Sequence, residues 1–366
     1  MQFSVPTKII FGEHSLSYIK NLRGYKTALI FSASSMKRHG FLDEMISYLK
    51  VKKMETIIGI PPEPEYDVVT DYANKAREVK PDIIIAIGGG SVIDVAKAVK
   101  IFYEFPEYEL GMQPEKIPHL HTTLIAIPST SGTGSEVSAA SVLKKNGIKH
   151  AIVSNEIIPN YAILDARLPR KMPKEVARDT GIDAFVHAME AYVSKLASLF
   201  SDGIALRALK EIKENFFLSL KGDEKAREKM HYASTLAGIA FMNARLGLCH
   251  AMAHKAAMLK LSHGRLNALF FPYVMEFNMK EARKKYKEVA KYLGFKSIEE
   301  LIEFVKDITQ YAKEKIDLSV KEQFMENIEK ISKMASHDPL ASFNPRKASW
   351  EEIKEIYAKS LHSNNN

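Results

Sequence analysis

A single cysteine, Cys249, in 366 residues excludes an internal disulfide, and beside His250 it reads as a small packed side chain rather than a nucleophile. Long hydrophobic runs are missing too. Stretches such as IIIAIGGG and ALFFPYVM are too short to span a bilayer, and the N-terminal MQFSVPTKIIFG lacks the charged-then-apolar layout of a secretory leader. We therefore expect a cytoplasmic protein with no membrane partner. Uninterrupted positive charge is equally scarce. The net charge is +8, from 52 basic and 44 acidic residues, yet the two signs interleave, as in KEARKKYKEVAKYLGFKSIEELIEF, and only MKRHG and ARKKYK are locally basic. Such patterning describes solvated helix faces and argues against a nucleic-acid partner.

What is present begins with enough apolar residue, 46%, and enough length for two sizeable cores. The pattern changes near residue 168. Before it, β-rich runs alternate with helical ones: TALIFSA, FLDEMISYLK, METIIGI, VVTDYANKAREV, DIIIAIGGG, VIDVAKAVKIFY, TTLIAIPST. That alternation predicts a parallel sheet with crossover helices over 1–168. From 169 to 366, PKEVARDTGIDAFVHAMEAYVSKL through WEEIKEIYAKSL reads as helix nearly throughout. A cleft between an α/β and a helical domain is the expected meeting place of a cofactor and a metal.

The metal is suggested by five side chains in the helical half. Asp183 and His187 in GIDAFVHAME, and His250 and His254 in CHAMAHKAAMLKLSHG, are each four residues apart, a spacing that returns to one helix face; His263 follows. Three imidazoles and one carboxylate suit Fe(II), Zn(II), Ni(II) or Co(II) better than Mg(II) or Ca(II). Four ligands suffice, so one histidine is left over, and an imidazole near a metal that does not bind it can carry a proton.

The α/β half carries two small-residue loops at strand ends. In DIIIAIGGGSVIDVAKAVK an apolar strand enters Gly88, Gly89, Gly90 and Ser91 before a helical run; a backbone without Cβ atoms can approach an anion, and a helix N-terminus favours one. This turn is neither GxGxxG nor a P-loop. The second loop, AIPSTSGTGSEVS, offers the hydroxyls of Ser129, Thr130, Ser131 and Thr133 at the C-terminal end of another strand, where parallel sheets gather ligands.

Together, GGGSVIDVAK, IPSTSGTGSEVS, TGIDAFVHAMEAY and HAMAH with HG after it resemble the iron-dependent (group III) alcohol dehydrogenase family, in the family's order and over nearly the whole chain. The resemblance implies an N-terminal Rossmann-like dinucleotide-binding domain, a C-terminal helical metal-binding domain and an active site in the cleft between them. It implies Asp183, His187, His250 and His263 as ligands of Fe(II), with Zn(II) or Ni(II) able to substitute, and leaves His254 for proton transfer. Gly88, Gly89, Gly90, Ser91 and Asp94, with Ser129, Thr130 and Thr133, match the cofactor-holding segments, and Lys149 matches a lysine that contacts the cofactor. After TALIF, NAD-preferring members tend to carry an Asp; here Ser32, Ala33, Ser34 and Ser35 precede Met36, Lys37 and Arg38, so we expect NADP(H) over NAD(H). Small primary alcohols and aldehydes are the implied substrates, and a homodimer or larger homo-oligomer the implied assembly.

This chain departs from the family pattern at three places. The interval from His254 to His263 is one residue shorter than usual, with HKAAMLKLSHG in place of an HKLG or HPLG opening. Arg178 and Asp179 stand where small apolar residues are common, and Glu63 precedes Pro64 where Asn is frequent near the cofactor. An alternative on the same fold is a dehydrogenase or cyclase of a polyol or phosphorylated substrate, with Lys255, Lys260 and Arg265 facing a substrate phosphate. A nucleotide-binding sensor without turnover is a second one.

Overall fold

The computed structural model describes residues 2–145, 148–314 and 316–362. Among the described residues the strands are β1 (Lys8–Gly12), β2 (Thr27–Ser32), β3 (Lys53–Ile58), β4 (Ile83–Gly88), β5 (Thr123–Pro128), β6 (Ala140–Lys145), β7 (Ile148–Val153) and β8 (Tyr161–Asp165). The helices among them are α1 (Ser34–Arg38), α2 (Phe41–Tyr48), α3 (Tyr66–Val79), α4 (Gly90–Glu104) and α5 (Arg167–Arg170). Six strands form one sheet in the order β1-β8-β5-β4-β2-β3, every neighbouring pair parallel. Central β4, IIIAIG, is buried along its whole length because helices cover both faces, which is why it reads as an unbroken apolar run. Alternate residues serve the two faces. Leu29, Phe31, Ile84, Ala86, Leu124 and Ala126 pack with α3 and α4, whereas Ile30, Ile83, Ile85, Ile87 and Ile125 pack with Leu16, Leu42 and Met45 on the other side. Each fully buried branched side chain contributes about 1.5–3 kcal/mol, so this double-sided core anchors the strand ends that carry the loops.

The chain order reverses beside β2. From β2 it passes outward to edge strand β3, then returns across β2 to β4 and on to β5, so the crevice at the carboxyl ends of β2 and β4 is a topological switch point. Strands β6 and β7 form a separate antiparallel pair, Ala140 opposite Val153. The alternation pattern did not anticipate this hairpin, although Asn146-Gly147 in the sequence is a hairpin signal.

The remaining helices are α6 (Lys174–Val193), α7 (Leu199–Leu220), α8 (Glu224–Ala244), α9 (Leu248–Lys255), α10 (His263–Tyr292), α11 (Ile298–Thr309), α12 (Leu318–Glu326), α13 (Ile328–Ser336) and α14 (Trp350–Leu361). Two compact units result. One comprises Val5–Pro173 and Gly222–Thr235, the other Met1–Ser4, Lys174–Lys221 and Leu236–Asn366. Helix α6 is buried on every side from Gly181 to Val193, the signature of a central helix rather than a surface one. Among the described residues no single helix is long and apolar enough to cross a membrane.

Candidate active site

In the helical unit, α6, α9 and α10 bring Asp183, His187, His250 and His263 to one point. The Nε2 atoms of the three histidines face the same carboxylate oxygen, Asp183 Oδ1, at 3.9, 3.7 and 3.8 Å respectively. Tetrahedral ligands about 2.1 Å from an ion lie roughly 3.4 Å apart, so this donor set fits a first-row divalent ion with a small contraction. Ligand atoms of Asp183, His187 and His250 all fall within 4.8 Å of one another, and the three residues are buried. Burial alone would raise the Asp183 carboxyl, but the imidazoles of His187, His263 and His250 hold it well below the usual carboxylate range. An acceptor that stays ionised among three imidazoles is suited to a cation.

Two further residues complete the arrangement, and the sequence reading missed both. Glu190, on α6 and buried, accepts from His250 Nδ1 at 2.6 Å and from the backbone N–H groups of Gly247 (3.0 Å) and Cys249 (2.7 Å). It thus caps α9 from a neighbouring helix and turns His250 so that Nε2 faces Asp183. Gly247 is required there, since a Cβ would sit 2.9 Å from Asn344 Oδ1 and 3.0 Å from Glu190 Oε1. Asn267, one turn after His263, donates its Nδ2 to Asp183 Oδ1 (2.7 Å) and reaches His250 Nε2 (3.1 Å) and His263 Nε2 (3.4 Å). Its amide thus lies against three of the four converging residues. The i, i+4 step from His263 was the signal available in the sequence.

The residues before TGIDAF hold the start of α10, which carries His263. Asp179 accepts from Tyr311 Oη at 3.0 Å and from the hydroxyl of Ser262, which also caps α10 through Arg265 N. Arg178 lies over the Tyr311 ring, 3.6 Å from its centroid. Gly264 permits the approach, because any Cβ would overlap the Asp179 carbonyl oxygen. The start of α10 is therefore tied directly to α6, one turn before Asp183.

His254 stands beside this set rather than in it. Its ring stacks on His263 with centroids 5.5 Å apart, and Nδ1 lies 3.6 Å from Asp338 Oδ2, which also receives Lys255 Nζ at 2.9 Å. Burial lowers the His254 pKa against the opposing pull of Asp338. Lys255 is thus engaged by an acid, and Arg265 donates to the carbonyls of Ala312 and Glu314.

In the sheet unit, the two small-residue loops meet beside the switch point. Ala33 N donates to Ile87 O (3.0 Å) and Ser129 N to Gly88 O (2.8 Å), so the ends of β2, β4 and β5 adjoin. A Cβ on Gly90 would meet Thr133 Cγ2 at 2.8 Å, and one on Gly89 would touch Thr130, so the two small-residue loops pack on each other. At the start of α4, Val92 N and Ile93 N donate to Gly89 O at 3.0 and 3.3 Å, and the N-cap Gly89 provides no side chain for the N–H groups before them. Ser32 is buried with its hydroxyl on Ala33 O, while Ser34 is exposed and Ser35 half-buried. Lys37 pairs with Asp43 at 2.6 Å; Arg38 is exposed. Lys149 pairs with Glu63.

Asp94 has internal partners, accepting from Ser135 Oγ (2.6 Å) and Val142 N (3.0 Å). Nearby Lys97, fully buried, donates to Ser135 Oγ, Ser138 O, Ser138 Oγ and Ala140 O over 2.8–3.2 Å. Burial pushes its pKa down to about 8, although Asp94 and Glu136 pull upward. From α8, His231 Nδ1 lies 3.1 Å from Ser131 Oγ, and Thr235 donates to Glu136 at 2.6 Å. These buried contacts brace the second loop from below.

Comparison with known proteins decides the family. Residues 6–166 match the model described as iron-containing alcohol dehydrogenase, and residues 177–361 match the Fe-containing alcohol dehydrogenase family, C-terminal. The chain belongs to the iron-containing alcohol dehydrogenase family. An alcohol dehydrogenase of Thermococcus barophilus is 52% identical over 98% of this chain and 99% of its own. An NADPH-dependent butanol dehydrogenase of Clostridium saccharobutylicum is 41% identical over 98% and 97%. The solved iron-containing alcohol dehydrogenase of Thermococcus thioreducens superposes with a TM-score of 0.92 at 48% identity, covering 98% and 99%. The protein is thus an NAD(P)-dependent metal alcohol dehydrogenase with an iron and a nicotinamide cofactor, acting on alcohols and aldehydes; the cyclase alternative is not favoured.

Proposed function

We propose that this alcohol dehydrogenase interconverts small primary alcohols and aldehydes using NADP(H), with Asp183, His187, His250 and His263 as the metal ligands. The observation that carries the ligand assignment is the convergence of three Nε2 atoms on Asp183 Oδ1. Asp183, His187, His250 and His263 would hold a divalent ion that would supply Lewis acidity at the substrate oxygen, and a bound nicotinamide would supply the hydride chemistry. The reaction balances as alcohol plus NADP+ giving aldehyde, NADPH and one proton. His254, excluded from the donor set but stacked on His263, carries that proton, and Asp338 at its Nδ1 leaves Nε2 for the transfer. The turn Gly88–Ser91 with the start of α4 receives the cofactor phosphates. Ser129, Thr130 and Thr133 serve the rest of the dinucleotide, within a loop that Asp94 braces through Ser135.

NADP(H) preference rests on Ser32–Ser35, which offer no carboxylate against a 2′-phosphate, on exposed Arg38, and on the NADPH dependence of the Clostridium relative. A homodimer or larger assembly and a cytoplasmic setting belong to the same proposal; the lone cysteine supports the latter. The test is anaerobic turnover of the Fe(II)-loaded protein with NADPH and NADH separately, against a panel of small primary aldehydes. We expect metal-dependent oxidation of NADPH in preference to NADH. Equal rates with both would overturn the preference, and retention of metal and turnover after His187→Ala with His250→Ala would overturn the ligand set.

A further inference from the structure

Glu63 precedes Pro64, and the structure places its carboxylate 2.5 Å from Lys149 Nζ. The lysine side chain is only 11% exposed while Glu63 is 42% exposed, so the acid covers the lysine from the solvent side. Three observations show that the pairing is built in. The Glu63 N–H reaches Ser91 Oγ at 3.4 Å, linking it to the glycine turn. Pro64 O accepts from Lys144 N at 2.9 Å, and Glu65 forms a bridge with Lys144, so the segment is pinned to β6. Finally, Glu63 adopts φ +50°, a left-handed conformation that Asn takes readily and Glu seldom does, so backbone preference does not account for a glutamate here.

We propose that Glu63 is an internal competitor of the cofactor: its carboxylate pairs with Lys149, and an anionic dinucleotide must displace it, so Glu63 weakens nucleotide binding and speeds nucleotide release. This rests on the reading of Gly88–Ser91 and Lys149 as part of the cofactor site. The mechanism is charge competition. A largely buried ammonium group requires an acceptor, and Glu63 supplies one that repels the incoming phosphates. Because Glu63 is partly exposed, the competition is screened by salt.

The experiment titrates NADPH and NADH into the protein, following nicotinamide fluorescence at low and high NaCl. It compares wild type, Glu63→Gln, Lys149→Met, the double variant, and Glu107→Gln as a control for net charge at an exposed position. We expect Glu63→Gln to tighten both nucleotides by about three- to tenfold in low salt, with the advantage shrinking near 0.5 M NaCl. Lys149→Met should weaken binding, and Glu63→Gln should add nothing in its background. A Glu107→Gln effect as large as that of Glu63→Gln would reduce the role of Glu63 to bulk charge and overturn the proposal. So would an unchanged or weaker affinity of Glu63→Gln where the wild type binds. Failure of the wild type to bind either nucleotide would instead remove the cofactor-site reading, and this proposal with it.

Discussion

Lys97 is the residue whose setting is most at odds with its chemistry. It lies at the end of the run GGGSVIDVAK, yet it is fully buried and spends its donors on Ser135, Ser138 and Ala140. Burial lowers its pKa to about 8. The unfolded chain, with lysine near its ordinary value, binds more protons than the folded one between about pH 8 and 10.5, so this residue makes stability rise with pH across that window. Relative to Lys97→Met, wild type should gain roughly 3 kcal/mol of unfolding free energy from pH 7 to 10.5. Denaturant unfolding of both proteins at several pH values checks this. A difference between them that is flat or falls with pH would show that the charge is tolerated without cost.

Among the elements, α9 depends most on its neighbours. At eight residues it is too short to persist alone, and its N-cap, Gly247, provides no side chain. Glu190 from α6 and Asn344 take its first N–H groups instead, and Glu190 also fixes the ring of His250. Replacing Glu190 by Gln leaves the volume unchanged but alters a charge-assisted bond to a ligand histidine. We expect metal affinity to fall about 10–100-fold, measured by competition with a chromophoric chelator. Unchanged affinity would mean that packing alone orients His250.

Across the whole chain, the candidate ligands come from three helices spread over 81 positions, Asp183 to His263. An ion that binds only the folded arrangement stabilises it by mass action, about 4 kcal/mol when free metal is 1,000 times the dissociation constant. Thermal unfolding followed with and without Fe(II), anaerobically, should show a higher transition temperature with the ion, reversed by chelator and missing in the His187→Ala, His250→Ala double variant. An equal shift in that variant would place the stabilising ion elsewhere.

The sequence by itself determined the sheet alternation through β5, the switch to helices beyond the sheet, and the family. Periods of 2 and 3.6, glycine turns and four-residue ligand steps are local patterns, set by backbone geometry within a few residues. It also determined which side chains could ligate an ion, since Asp183 with His187 and His250 with His254 announce themselves by spacing. Only the tertiary structure decided which would converge. His254 has the right spacing but faces Asp338, and Asn267 and Glu190 enter the centre from helix faces whose proximity no local pattern encodes. It likewise decided the partners of Asp179 and Glu63, with Asp179 meeting Ser262 and Gly264, and Glu63 finding Lys149. The reason is the same in each case: hydrogen bonds and charge pairs act over about 3–4 Å in space, and folding alone brings residues dozens of positions apart within that range.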